Sequence, residues 1–399
     1  MRMNSPLQIA SADTPNDLAC LRAFVAENGA AAVSALDRHL ARPRYRPAFT
    51  RIAKRAGQLT GYALLGHQRL RLGAATLEIG RIAALELTPV EHDRGEFAAL
   101  LGDCLRVLVE EGLALALVCG PVATYAPFGF APYRFWSQIQ LASQPYAAAP
   151  ALALRRATAG DLDDFAALYD AAYQALPLTA ARSAPDWRFW LADERLKLVA
   201  EDNRGRIVAY AAIELGPDEL AVVEAAAADA GAARVLCREL QSYAHRRGQL
   251  LLLALAPWHL VAQAALHLDG TAQLAAHSKS QGNDELTGVV DLPLLLEALV
   301  PEFDQRLTRS RYAGWSGNLR LEIDTERITL AFATGHATVI DGSRPADLRL
   351  RQITLPALAQ LCLGYRVAAD LRATGGLACD DAALGLLDAL FPPLLATRR

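Results

Sequence analysis

From Phe97 to Leu108 the apolar residues Phe97, Leu100, Leu101, Cys104, Leu105 and Leu108 recur at helical spacing. That pattern predicts an amphipathic helix with one buried stripe, stopped at Gly112. The preceding "RIAALEL" (81–87) is continuously apolar apart from its charged ends and reads as a buried strand. Residues 88–95 then form a turn that delivers the chain to a helix start, where unpaired N–H groups and the positive dipole end could receive a phosphate.

The same order of elements occurs twice. "LQIASADTPNDLACLRAFVAE" from Leu7 is matched by "LALRRATAGDLDDFAALYDAAY" from Leu152, each a short strand, an Asp-containing cap and an amphipathic helix. "AGQLTGYALL" from Ala56 is matched by "RGRIVAYAAI" from Arg204, with Tyr62 and Tyr210 in equivalent places. The strand, turn and helix around Leu85 are matched by "LAVVEAAAADAGAARVLCRELQSYAHRRGQ" from Leu220. This self-similarity predicts a duplicated α/β domain. In the second copy the turn carries Glu224 and Asp229 and no basic residue near the helix start, so it reads as a domain without a phosphate site.

A Pro- and Ala-rich stretch, "LASQPYAAAPALALRR", marks the join between the copies. After "HLDGTAQLAAHSKSQGNDE" the pattern changes to a helix opening at Pro293, the alternating strands "GNLRLEID", "ERITLAFATG" and "HATVIDG", and two further helices. Three domains are therefore expected, at 1–147, 148–284 and 285–399, the last α+β.

Composition sets bounds on function. With 53% hydrophobic and 21% charged residues the chain is globular rather than disordered, and a net charge of −3 gives no electrostatic reason to expect nucleic acid or an anionic membrane as partner. The first residues lack an apolar signal core and no apolar run is long enough to span a bilayer, so a cytoplasmic location is expected. The six cysteines, scattered among apolar neighbours, read as buried free thiols. No P-loop, G-x-G-x-x-G, H-E-x-x-H or nucleophile-elbow motif is present, and no metal is expected. His259 reads as a loop or capping residue, and Trp187 and Trp190 as packing between domains.

Two segments, "LELTPVEHDRGEF" (85–97) and "YAPFGF" (125–130), lie in the order of a cofactor turn and the aromatic turn that follows it. Together they resemble the GCN5-related N-acetyltransferase superfamily. With "LTGVVDLPLLLEAL", "LAQLCLGYR" and "LDALFPP" near the C-terminal end, the layout is similar to the Eis-like (enhanced intracellular survival) family: tandem acetyltransferase domains followed by a sterol-carrier-like domain. The resemblance implies transfer of acetyl from acetyl-CoA to a primary amine of a small molecule or a lysine, and a homo-oligomer such as a hexamer. It also implies that the backbone of Leu85, Glu86 and Leu87 pairs with pantetheine and that the turn of His92, Asp93, Arg94, Gly95, Glu96, Phe97 and Ala98 takes the pyrophosphate. Tyr125 would be the general acid and the carboxylate of Arg399 the base. His92, Asp93 and Phe97 depart from the family turn: a carboxylate repels a pyrophosphate, and a phenylalanine obstructs close approach of the backbone. A non-catalytic ligand-binding or assembly protein of the same fold is the alternative.

Overall fold

The computed structural model describes residues 5–93, 95–142, 144, 152–275, 284–323 and 326–394. The chain divides into two compact units, one within Met1–Tyr133 and Gln281–Pro393, the other within Arg134–Ser280.

The first unit opens with β1 (Leu7–Ser11), α1 (Pro15–Ala26) and α2 (Ala30–Leu40). Thr14 caps α1 by accepting the Asp17 N–H at 3.0 Å, and Pro15 enters where its missing N–H costs nothing. Strands β2 (Thr50–Arg55), β3 (Gln58–Leu72) and β4 (Ala75–Leu87) follow, then the short helix α3 (Pro89–Asp93), α4 (Phe97–Glu110), β5 (Leu115–Gly120), the single turn α5 (Val122–Tyr125) and β6 (Ala131–Pro132). The predicted stripe of α4 is found: Leu100, Leu101, Cys104 and Leu108 are buried, joined by Val107, against Ala63, Leu65, Ile82, Ala116 and Val118 of the sheet.

The second unit holds β7 (Trp136–Leu141), β8 (Ala153–Arg156), α6 (Leu162–Tyr173), β9 (Thr179–Ala180), α7 (Ala184–Leu191), β10 (Leu196–Glu201), β11 (Ile207–Leu215), β12 (Glu219–Ala227), α8 (Ala230–Arg246), β13 (Leu250–Leu253), α9 (Leu260–Leu266) and β14 (Thr271–Ala275). The chain then returns to the first unit with β15 (Asp284–Val289) and α10 (Leu292–Thr308). It ends in β16 (Gly317–Ile323), β17 (Glu326–Ala333), β18 (His336–Asp341), β19 (Leu348–Ile353), α11 (Leu355–Cys362), α12 (Ala368–Ala373) and α13 (Asp381–Leu390).

Three sheets result. Within the first unit the order is β1-β2-β3-β4-β5-β15-β6; the second unit has β14-β7-β13-β12-β11-β10-β8; the C-terminal segment has β18-β17-β16-β19. Chain order and sheet membership thus part company. Strand β7, before the Pro- and Ala-rich stretch, lies in the second sheet, and β15, after the second copy, pairs with β5 of the first.

Each large sheet carries the same irregularity. Between β3 and β4 the register steps from Leu64↔Ala84 to Leu65↔Ile82, leaving Ala83 as a bulge. Between β11 and β12 it steps from Ala212↔Glu224 to Ile213↔Val222, leaving Val223. Tyr62 and Tyr210 stand at equivalent register positions, both buried under the helix pair that follows the first strand of their copy.

Some expectations from sequence are altered. Cys20 is exposed, because α1 buries Leu21 and Val25 and turns Cys20 outward; Cys104, Cys237 and Cys362 are buried and Cys119 and Cys379 half-buried, and none of the six is in a disulfide. Trp187 and Trp190 belong to an aromatic cluster inside the second unit, with Phe165, Tyr169, Tyr173 and Tyr210. His259 is a cap, as read: its Nδ1 accepts the Val261 N–H at 3.2 Å at the start of α9. Among the described residues no helix is long and apolar enough to cross a membrane, and no group of His, Cys, Asp and Glu could hold a metal ion.

Candidate active site

The parallel ladder between β4 and β5 runs from Ile79↔Leu115 to Ile82↔Val118. Beyond it β4 continues to Leu87, still paired on its other edge with β3 through Ala63↔Leu85, Tyr62↔Glu86 and Gly61↔Leu87. The bulge at Ala83 marks the point where the two strands part. One edge of 84–87 therefore faces an opening rather than a neighbouring strand, and an extended amide-bearing ligand could add to it as a strand does. Leu85 and Leu87 pack toward α4, while the Glu86 carboxylate is exposed on the opposite face.

The turn after β4 is held from beneath by an arginine that sequence reasoning did not single out. Arg55, at the end of β2, donates from Nε to both oxygens of Glu91 at 3.0 and 2.9 Å and places a second nitrogen 2.6 Å from Glu96. Glu91 is buried, 3% exposed, so this contact anchors α3. Both carboxylates are thereby neutralised locally, and the hydrogen bonds to Glu91 and then to Glu96 hold the guanidinium above its ordinary pKa. No local pattern signals this pairing, since the partners lie 36 and 41 residues downstream.

Gly95 takes φ +77°, a left-handed turn that lets its N–H reach the His92 carbonyl at 3.0 Å; a Cβ there would meet nothing, so conformation rather than space calls for glycine. The ladder of α4 begins with Leu100 N–H to the Glu96 carbonyl at 3.1 Å. Among the described residues the amides of Phe97, Ala98 and Ala99 have no partner, and Ala98 and Ala99 are exposed. His92 is exposed on α3. Arg94 and the side chain of Asp93 lie outside the described residues, as does Arg399.

The Phe97 ring turns into an aromatic cluster, with centroids 5.6 Å from Tyr125, 5.7 Å from Phe128 and 6.1 Å from His92. Tyr125 ends α5, packs on Phe130 at 5.7 Å and lies against Gly120, where a Cβ would come within 2.6 Å of its ring. The "YAPFGF" turn closes through Gly129 at φ +85°. Tyr125 is 7% exposed, and among the described residues its hydroxyl has no hydrogen-bond partner. Burial, with the neighbouring Cys104 and Cys119 thiols, holds that hydroxyl above its ordinary pKa.

The equivalent places in the second unit are filled. Asp229 caps α8 by accepting the Ala232 N–H at 2.8 Å, so a carboxylate occupies the helix start. Glu224, the residue after the bulge on β12, is buried in an ion pair with Arg182.

Residues 317–396 match the family model of the sterol carrier protein domain. No curated protein sequence matches the chain. Among solved structures, the chain is similar to a GCN5-related N-acetyltransferase from Kribbella flavida, at 18% identity and TM-score 0.73 over 99% of this chain and 98% of that one. A probable N-acyltransferase from Enterococcus faecalis V583 aligns at 14% identity and TM-score 0.74, over 99% and 98%. The fold is therefore that of the GCN5-related N-acetyltransferases, with a sterol carrier protein domain toward the C-terminal end. The full-length layout is also that of Eis1 from Mycobacterium abscessus, at 17% identity and TM-score 0.62 over 97% of both chains.

Proposed function

We propose that the chain is an N-acetyltransferase that moves the acetyl group of acetyl-CoA to a primary amine, with the thioester held by the first unit. One observation carries the reading: the hydroxyl of Tyr125, without a protein partner among the described residues, belongs to a ring that lies against Gly120, just past the point where β4 parts from β5. Pantetheine amides fit the free edge of 84–87, and the exposed amides of Ala98 and Ala99 fit a pyrophosphate oxygen, with Gly95 setting the approach.

Acetyl-CoA supplies a thioester whose carbonyl the neutral amine attacks. As the C–S bond breaks, Tyr125 gives its proton to the leaving sulfur, and the proton shed by the nitrogen as the amide forms passes through solvent to restore the phenol. Its raised pKa keeps the proton in place at pH values where an ordinary tyrosine begins to ionise. The second unit, with its capped helix and filled centre, acts as a structural partner.

A second reading has its own support. Glu91 and Glu96 put two carboxylates at the turn, both paired with Arg55, which suits a fold retained for binding or assembly without transfer. Acetyl-CoA titration separates the two: saturation at 100 times the dissociation constant should raise stability by about 2.7 kcal/mol. Gly95→Val, which cannot hold φ +77° without strain, should weaken binding about ten-fold or more. Thermal stability indifferent to acetyl-CoA would favour the non-catalytic reading.

A further inference from the structure

Each copy of the fold brings a side chain from the connection between its first two helices to a glutamate on its bulged strand, beside a buried tyrosine. In the second unit Arg182, between α6 and α7, meets Glu224 with two hydrogen bonds of 2.7 and 2.6 Å. Tyr210 adds its hydroxyl to the same carboxylate at 3.0 Å. The rings of Tyr169, Trp187 and Trp190 surround the guanidinium at 4.6, 4.5 and 5.3 Å. That copy is complete: carboxylate, hydroxyl and cation are all its own.

In the first unit Asn28, between α1 and α2, donates its Nδ2–H to Glu86 at 3.1 Å. Tyr62 stands directly across the strand pair from Glu86, at the register position Tyr210 holds in the other copy. The glutamate has moved two register places toward the free end of the strand, so that Glu86 is exposed where Glu224 is buried. Asn28 brings a neutral amide where Arg182 brings a charge. Among the described residues no cation pairs with Glu86.

We propose that Glu86 is a specificity-determining residue, holding through its carboxylate a cationic group of the acceptor other than the amine that is acylated. Arg182 in the second copy shows what such a centre takes: a guanidinium or ammonium donating to the glutamate. The inference rests on the acyl-transfer reading for its setting, but its test does not need turnover. The Glu86 side chain projects from the strand face opposite Leu85 and Leu87, so it addresses the acceptor while the strand edge stays available to the thioester.

The test is calorimetric titration of the full chain with cadaverine and with pentylamine, which share a five-carbon chain and differ by one ammonium. The wild type should bind cadaverine about ten-fold or more tightly than pentylamine, as expected for one charge-assisted hydrogen bond. Glu86→Gln keeps the shape and the Asn28 contact and should bring the two affinities within about two-fold. Asn28→Arg should do the same with Glu86 intact, by supplying the cation from within. Equal affinities in the wild type, binding of neither amine, or discrimination that survives Glu86→Gln would each overturn the proposal. Acetyl-CoA titrated separately reports on the transfer reading, so failure of one is distinguishable from failure of the other.

Discussion

The rings of Phe97 and Tyr125 meet nearly edge-on, 5.6 Å between centroids and 67° between planes. One begins the helix that would receive the pyrophosphate and the other carries the hydroxyl that would protonate sulfur, so cofactor turn and acid are joined by a direct contact. The Phe97 ring packs in the cluster with Phe128, and we propose that this leaves the approach to the turn open.

Phe97→Ala should therefore act on catalysis more than on cofactor binding. Removing a half-buried ring should cost about 1–2 kcal/mol of stability, and a loosened Tyr125 should lower turnover about ten-fold or more. Acetyl-CoA affinity should change by less than about three-fold. Thermal unfolding, calorimetry and thiol release on one variant check all three; a large gain in affinity would show that the ring obstructs after all.

Arg182→Ala would strand the buried Glu224 carboxylate. Burial opposes charge on Arg182, but Glu224 outweighs it and holds the guanidinium charged, so deletion should cost about 3–5 kcal/mol in the second unit. Arg182→Lys keeps the charge and loses the paired geometry, and should be intermediate. Added guanidinium at millimolar concentration should raise the melting temperature of the alanine variant relative to sodium at equal ionic strength. A variant as stable as the wild type would show that the ion pair is dispensable.

His39 supplies a pH signature of folding. Burial, then the charge of Arg42, lowers its pKa from 6.5 to about 4. The unfolded ring takes a proton below pH 6.5 while the folded ring resists until about pH 4. The stability this gives is present above pH 6.5 and is lost as the pH falls toward 4, by about 3 kcal/mol at most. His39→Gln should flatten that part of the stability profile; an unchanged profile would move the effect to other groups.

Much of this was legible in the sequence where the signal is local. The stripe of α4, the cap at His259 and the equivalence of Tyr62 with Tyr210 all follow from spacing within one or two elements. What was not legible depends on distance along the chain. Arg55 with Glu91 and Glu96, and Arg182 with Glu224, join residues 36 to 42 positions apart, brought together only by sheet pairing. The placing of β7 and β15 in each other's neighbourhood of the repeat is equally silent, because an apolar strand reads the same in either sheet. Cys20 was misjudged since apolar neighbours in sequence are not neighbours across a helix, where adjacent residues are about 100° apart.

The rate of transfer should also respond to pH in one direction. A lysine-like amine with pKa about 10.4 is neutral only to about one part in a few thousand at pH 7, so kcat/KM should rise about ten-fold per pH unit toward pH 9. Tyr125, held above its ordinary value, should cause no decline in that range. A fall before pH 9 would place the acid elsewhere.

The most direct measurement is thiol release from acetyl-CoA in the presence of a diamine, made with the wild type and with Tyr125→Phe. The phenylalanine variant keeps the ring that packs on Phe97, Phe130 and Gly120. Its fold and acetyl-CoA affinity should hold while turnover falls by about 10² to 10⁴. Equal rates in the two proteins, or acetyl-CoA binding to the wild type with no release to any amine, would contradict the account.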